Sequence, residues 1–394
     1  MKFCLVNNLF APYSRGGTEK IVKQISSGLK NYGQVLIITT QPDKVLTRQT
    51  EDDVEIYRFR PKNLYYLLDD YKKNLVLKTA WHFLDMFCHK TCDIVEGILS
   101  KQRPDFVFTH NLKGLGLASF KVIRKLGLSH IHTLHDYQLL DPHGSMHRLG
   151  QNLPLNSPFY RFYRYLTRKA VGRPDLVISP SKFVLDKHLE YGFFNEAERV
   201  VLPNPVEAFE PLKTNFFSKK FTLLYLGQIE EHKGVDFLIK AFKDFKKGDS
   251  QLLIAGVGSQ LDRIRELAYD DERIKVLGKV SQEELPELFS QSDLLVLPSI
   301  WWENSPTVIY EAYASKVPVL VSSNGGSKEL VKDGQTGWIF QSANKKSLLV
   351  KLNLALNFRS KLPEMGLNGY RLAKEYSLDN YIKKLLELCQ ALKR

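Results

Sequence analysis

Cysteine is scarce in this 394-residue chain: Cys4, Cys88, Cys92 and Cys389 are the only four, and they are widely scattered. Four such residues exclude a disulfide framework and point to a reducing compartment. No apolar run reaches the length of a membrane-spanning helix. The opening stretch Met1-Lys-Phe-Cys-Leu-Val6 is too short for the apolar core of a signal peptide. A cytoplasmic protein is the expectation. Low-complexity tracts and short-period repeats are also missing, which removes fibrous and solenoid architectures.

Negative charge is the minority sign. Lys and Arg number 56 against 43 Asp and Glu, for a net charge of +13. Residues 1–200 hold 29 basic and 19 acidic residues, and residues 201–394 hold 27 and 24. The basic first half is compatible with nucleic acid, an anionic membrane surface, an acidic substrate or simply a solvated basic surface. Nucleic acid has no support beyond charge, and none is expected as a partner.

Apolar, β-rich runs alternate with helical patterns throughout. The predicted strands of the first half are Phe3–Asn7, Val35–Thr39, Glu55–Phe59, Phe106–Thr109, His130–Leu134, Leu176–Ser179 and Val200–Leu202. Those of the second half are Thr222–Leu226, Leu252–Ala255, Lys275–Leu277, Leu294–Leu297 and Val317–Val321. Unbroken apolar strands separated by helices mean parallel sheets covered on both faces. The pattern restarts near Phe221, after a Pro-rich segment Pro203–Pro211 and a basic Ser218-Lys-Lys220. Two Rossmann-like domains with parallel sheets facing a central cleft are expected: residues 1–205, residues 206–377, and a helix in 378–394 that crosses back to the first domain.

The chemistry concentrates at a few strand ends. After Leu294–Leu297 the chain reads Glu303-Asn-Ser-Pro-Thr307, with a second carboxylate at Glu311. Ser305 is expected as N-cap and Pro306 as the first helical residue. Unpartnered amides at such a helix start favour anions, whereas the flanking carboxylates suit hydroxyls. Phosphate together with hydroxyls suggests a nucleotide sugar. Tyr225-Leu-Gly-Gln-Ile-Glu-Glu-His-Lys-Gly234 adds a Gly-containing turn, with Lys233 as a charge for phosphate. Ala255-Gly-Val-Gly-Ser259 lacks the third glycine of a dinucleotide fingerprint and reads as a close-packing turn. In the first half, Gly16 and Gly17 open a helix near Thr18–Leu29. Of the histidines in Ser129-His-Ile-His-Thr-Leu-His-Asp-Tyr137, His135 lies past the strand end, where ligands bind in open sheets. Phe159–Lys169 is amphipathic and basic, with Phe159, Phe162, Tyr163 and Leu166 on one face and Arg161, Arg164 and Arg168 on another. It reads as a helix covering the sheet, with membrane docking as the alternative.

In order and spacing, several segments resemble the retaining glycosyltransferases of family four, which have the two-domain GT-B architecture. They are Ile178–Phe183, Leu202-Pro-Asn-Pro205, Leu226–Gly234, Leu277-Gly278, Glu303–Thr307 through Glu311, Asn324-Gly-Gly326, Glu329-Leu-Val331 and Gly334-Gln-Thr-Gly337. The resemblance implies that Glu303 contacts donor-sugar hydroxyls and Glu311 the nucleotide ribose, as the two ends of the family's E-x7-E motif. It implies that Asn304, Ser305, Pro306 and Thr307 bind sugar and distal phosphate, and that Lys233 neutralises the diphosphate leaving group. His135 would lie beside the donor sugar, and Gly16 and Gly17 would face phosphate and acceptor. Gln228 stands where the family often has arginine, so leaving-group stabilisation would rest on Lys233 and the helix dipole.

The implied activity is transfer of a sugar, with retention and without metal or other cofactor, from a nucleotide-diphosphate sugar. The acceptor would be a saccharide or lipid-linked saccharide, in bacterial surface polysaccharide or glycolipid assembly. Tyr65, Tyr66, Trp81 and Phe83 in the basic first half suit such an acceptor, with peripheral contact to an anionic membrane at its inner face. A nucleotide-sugar epimerase, a sugar phosphorylase and an inactive partner subunit are the alternatives.

Overall fold

In the computed structural model, which describes all residues except Arg15, Phe87, Ser145, Leu149, Gly150, 207–219, Gly248 and Arg394, the aliphatic runs become buried strands. Much of the segment expected to link two domains thus lies outside the described residues. The chain divides into two units. One comprises Met1–Met146, Pro154–Pro205 and Leu378–Arg394, and the other His147–Leu153 and Val206–Ser377.

The first unit holds β1 (Lys2–Val6), β2 (Gln34–Thr40), β3 (Thr47–Glu51), β4 (Val54–Phe59), β5 (Phe106–Thr109) and β6 (Ser129–Thr133). The two-stranded pair β7 (His147–Arg148) and β8 (Gln151–Asn152) belongs to the other unit, and β9 (Leu176–Ser179) and β10 (Glu198–Val201) complete the first. The main sheet runs β10-β9-β6-β5-β1-β2-β4-β3. All its neighbours are parallel except β3, which pairs antiparallel with β4 at the edge. β3 escaped the sequence reading because Thr-Arg-Gln-Thr-Glu has no apolar alternation. Four of its five residues are exposed, as an edge strand permits.

The second unit is a sheet of β11 (Phe221–Leu226), β12 (Ser250–Ala255), β13 (Ile274–Gly278), β14 (Leu294–Leu297), β15 (Val319–Ser322) and β16 (Gly337–Phe340). Its order is β13-β12-β11-β14-β15-β16, parallel throughout. This is the doubly wound order in which the winding reverses between the first and fourth strands. Crevices for ligands form at that reversal, beyond the carboxyl ends. In the first unit the equivalent reversal lies between β1 and β5.

The helix Leu378–Leu392 belongs to the first unit despite following all of the second in sequence. Its Tyr381, Ile382, Leu385, Leu386 and Cys389 are buried in one core with Phe3, Leu5, Ile25 and Phe106. A fully buried Leu or Ile contributes about 1.5–3 kcal/mol. Among the described residues no helix is long and apolar enough to cross a membrane.

Two expectations about side chains change. In the helix Pro158–Val171, Tyr163 and Arg164, expected on an apolar face and a solvated basic one, are both buried. Tyr163 donates to the Gln138 carbonyl, and Arg164 donates to the Leu155 carbonyl with its guanidinium 4.2 Å from the Tyr191 ring centroid. The carbonyl bond and the ring contact offset part of the polarity that made Arg164 look like a surface residue. Tyr65, Tyr66 and Trp81, expected to greet an acceptor, are instead buried together with Leu9 and Leu67. Trp81 donates its indole N–H to the Tyr65 carbonyl, the partner that allows a tryptophan to be core.

Candidate functional site

In the second unit the two loops beside the reversal are stitched together. β11 leads through the short turn Glu231–Lys233 to the helix Val235–Asp244, and β14 leads to the helix Thr307–Ala314. The Ile300 amide donates to the His232 carbonyl at 3.0 Å. Gly234 has φ +70, and a Cβ there would lie 2.4 Å from the Pro298 carbonyl oxygen. Glycine is what lets the first loop press against the end of β14.

That contact brings Lys233 to Glu303. Lys233 Nζ donates to Glu303 Oε1 at 2.7 Å, and Ser299 Oγ donates to the same oxygen at 2.6 Å. The ammonium also lies 4.8 Å from the Trp301 ring centroid, in cation–π contact. Glu303 is buried and Lys233 nearly so. Burial alone would raise the Glu303 carboxyl. The Lys233 charge, with hydrogen bonds from Lys233, Ser299 and Trp301, outweighs burial and holds it below the usual carboxylate range. The site is therefore a buried, ionised pair, which only good hydrogen bonding makes tolerable.

A third loop clamps the second. Gly325, at φ +73, pairs with Glu303; a Cβ there would sit 2.2 Å from the Glu303 carbonyl oxygen. The Gly326 amide donates to that oxygen at 2.7 Å, and Asn324 Nδ2 donates to the Ile300 carbonyl at 2.9 Å. Asn324-Gly-Gly326 thus fixes the backbone that carries Glu303.

The helix start departs from expectation. Pro306 is the cap, extended at ψ 121, and the helix begins at Thr307. Ser305 is not the N-cap: its hydroxyl lies 2.6 Å from the Tyr310 phenol oxygen, so it braces the loop against the helix's second turn. Asn304, Ser305, Pro306 and Thr307 share Glu303's loop or the turn after it. Glu311 is buried further along that helix, and Gln228 is exposed just past β11. The structure joins Lys233 directly to Glu303, whereas the other second-unit candidates are neighbours in the same two loops.

In the first unit, Gly16 precedes the helix Gly17–Leu29, and its amide donates to Glu19 Oε2 at 3.0 Å. The helix thus caps itself with an acidic side chain where an anion was expected. His135, past the end of β6, lies 2.8 Å from His110 (Nε2 to Nδ1), and His110 directly follows β5 at the reversal. Burial pulls the His135 imidazole down to about 3. Burial first, then His135 and His132, holds His110 well below the usual range. Both rings are neutral at physiological pH. His130 Nε2 and His132 Nδ1 flank Thr109 Oγ1 at 2.8 and 2.9 Å, with Phe120 packed on both rings. These two are structural.

Comparison with known proteins fits this geometry. Residues 15–208 match the Glycosyltransferase Family 4 domain, and residues 207–372 match Glycosyl transferases group 1. The chain belongs to the family-four glycosyltransferases, with the GT-B fold. An uncharacterized 42.6 kDa protein in the cps region of Klebsiella pneumoniae is 28% identical over 333 residues, spanning 84% of this chain and 87% of that protein. Sucrose-phosphate synthase from Thermosynechococcus elongatus superimposes with a TM-score of 0.77 at 17% identity, over 99% of this chain and 98% of that one. Anabaena HepE, solved in complex with UDP-glucose, has a TM-score of 0.73 at 17% identity, over 99% of this chain and all of that one.

For this glycosyltransferase, reading the sequence alone missed Ser299, Trp301 and His110. Each had a usable signal. Ser299 and Trp301 stand between the end of β14 and Glu303, and His110 is the first residue after β5, beside the reversal.

Proposed function

We propose that this glycosyltransferase moves a sugar from a nucleotide-diphosphate sugar to a saccharide or lipid-linked saccharide, with retention and without a metal, in surface polysaccharide or glycolipid assembly. The observation that carries the reading is the buried Lys233–Glu303 pair at the reversal of the second sheet. An ammonium has three donors, so Lys233 can keep Glu303 and still meet a diphosphate. Glu303, held ionised, can accept hydrogen bonds from sugar hydroxyls and face the positive charge that grows on the anomeric carbon. Glu311 takes the ribose, and the amides of Asn304–Thr307 take sugar and distal phosphate. The relative in a cps region supports a polysaccharide role, and the UDP-glucose held by Anabaena HepE makes a uridine diphosphate sugar the first donor to try.

In the transfer, the bond from the anomeric carbon to the diphosphate oxygen breaks while the acceptor hydroxyl oxygen bonds to that carbon from the same face. The acceptor proton passes to the departing diphosphate. Lys233 and the helix start stabilise the leaving charge, and Gln228 adds a hydrogen bond without charge. His135 keeps the place beside the donor sugar that the family likeness gives it; as a neutral imidazole with Nε2 facing His110, it meets a hydroxyl through Nδ1.

The test is a thermal-shift panel of nucleotide sugars, followed by product analysis with donor alone and with acceptor. A donor that binds raises the melting temperature in proportion to the logarithm of its concentration over its dissociation constant. Products formed from donor and acceptor together, with the anomeric configuration kept and turnover insensitive to chelator, are expected. Epimerised donor in the absence of acceptor would replace this reading with an epimerase, and turnover lost on chelation would end the metal-free mechanism.

A further inference from the structure

The helix Pro158–Val171 presents most of its large apolar residues outward. Its inner face is Tyr163, Arg164, Thr167 and Val171, all buried, the first three fixed by bonds to the Gln138, Leu155 and Leu139 carbonyls. Its outer face carries Phe159, Phe162 and Tyr165, which are 44%, 56% and 53% exposed. At about 100° per residue these three fall on one stripe with Leu166, and Arg161 and Arg168 line its edge. Lys169 lies within the stripe and is exposed, as are both arginines. The helix contains no acidic residue. Burying polar groups inward and aromatics outward is the reverse of what a helix covering a sheet does.

A second helix extends the surface. In Leu75–Met86 the buried side holds Trp81 and Asp85, while Val76 and Leu84 are 79% and 50% exposed. Val76, Ala80, Phe83 and Leu84 are spaced i, i+4, i+7, i+8, one outward apolar stripe. The Phe83 and Phe159 rings meet edge to face, with centroids 6.4 Å apart, so the two stripes are continuous. Lys78 on this helix is paired with Asp70 and adds no free charge.

We infer that this two-helix face docks on an anionic lipid bilayer. Its chemistry selects that occupant. Aromatic and aliphatic side chains form the centre and can enter the boundary between headgroups and acyl chains. Arg161, Arg168 and Lys169 have long stems that keep their charges at the level of the lipid phosphates. A protein–protein core would be depleted in lysine, and a nucleic-acid surface would spread its cations along a groove instead of around an apolar stripe. The inference goes beyond the transferase reading and does not depend on the identity of donor or acceptor.

The experiment is co-sedimentation of the full chain with vesicles of phosphatidylcholine, with and without phosphatidylglycerol. Wild type is expected to pellet with the anionic vesicles and to be released by salt. The triple variant Phe159→Ser/Phe162→Ser/Tyr165→Ser and the pair Arg161→Glu/Lys169→Glu are each expected to weaken partitioning by about tenfold. Thermal shift by the nucleotide sugar, read on the same samples, shows that the variants are folded and separates failure of docking from failure of the donor site. Wild type left in the supernatant with both vesicle types would overturn the inference. So would variants that pellet like wild type, equal pelleting on neutral vesicles, or a lipid-free self-association that the serine variant abolishes.

Discussion

The two sheets carry the same winding and treat charge in opposite ways at their reversals. In the second unit the loops after β11 and β14 hold a buried carboxylate against a lysine ammonium, with Ser299 donating to the same carboxylate oxygen. In the first unit the residues after β5 and β6 are imidazoles, 2.8 Å apart, which burial strips of charge. On the proposed reading the charged edge meets phosphate and the uncharged edge meets hydroxyls. The topology locates a crevice, and the residue types that follow each strand decide what it can bind.

The largest expected effect breaks the charged edge. Lys233→Ala should lower transfer by about a hundredfold to a thousandfold and destabilise the fold by about 3 kcal/mol, because it leaves Glu303 buried and unpaired. Lys233→Ala/Glu303→Gln should recover stability but not turnover. Steady-state rates and urea denaturation check both, and single-variant stability equal to wild type would mean that the pair is not buried in solution.

Acid should separate the units next. His82, His130 and His135 are pulled to about 3 and His188 to about 4, chiefly by burial, with His110 and His132 also well below their usual range. An unfolded imidazole protonates near 6.5. Below that pH these imidazoles bind more protons in the unfolded state than in the folded one, so their contribution is full above about 6.5 and falls as the pH drops, while Asp85, raised to about 7 by burial, offsets part of the loss. The Glu303 carboxyl is also shifted down, but from a lower unfolded value, so its contribution is intact above that value and is lost only as pH falls through its depressed folded value. Region-resolved hydrogen exchange between pH 7 and pH 5 should show protection lost first around β5 and β6, and simultaneous loss in both units would contradict the contrast.

The glycines sharpen the comparison at smaller scale. Gly325→Ala meets the Glu303 backbone at a positive φ and should cost about 2 kcal/mol together with much of the donor-induced thermal shift. Gly16→Ala should be nearly silent in stability, since Gly16 is extended at φ −156. Smallest is His110→Asn, expected to lower turnover by about tenfold while the donor-induced shift persists. An unchanged rate would leave the His110–His135 contact a packing feature.

Much of this was legible in the sequence, for physical reasons. Strands buried on both faces announce themselves as aliphatic runs, so the core strands of both sheets were readable to within a residue or two. The polar edge strand β3 and the four-residue β16 were not, because neither carries a period. Glu303 and Lys233 stood out by spacing and likeness, yet nothing in one dimension said that they pair; that follows from Gly234 lying against Pro298. The Pro158–Val171 helix was misjudged because an arginine buried on a carbonyl and an aromatic ring reads, in sequence, like any surface arginine.

The helix Leu378–Leu392 has a consequence for biosynthesis. It completes the core around β1, yet the ribosome delivers it only after every strand of the second unit. The second sheet can close as it emerges, whereas the first must wait, with Phe3, Leu5 and Ile25 short of their cover, until some 370 residues have followed β1. Vectorial synthesis therefore leaves that side of the amino-terminal core uncovered until this helix has been made.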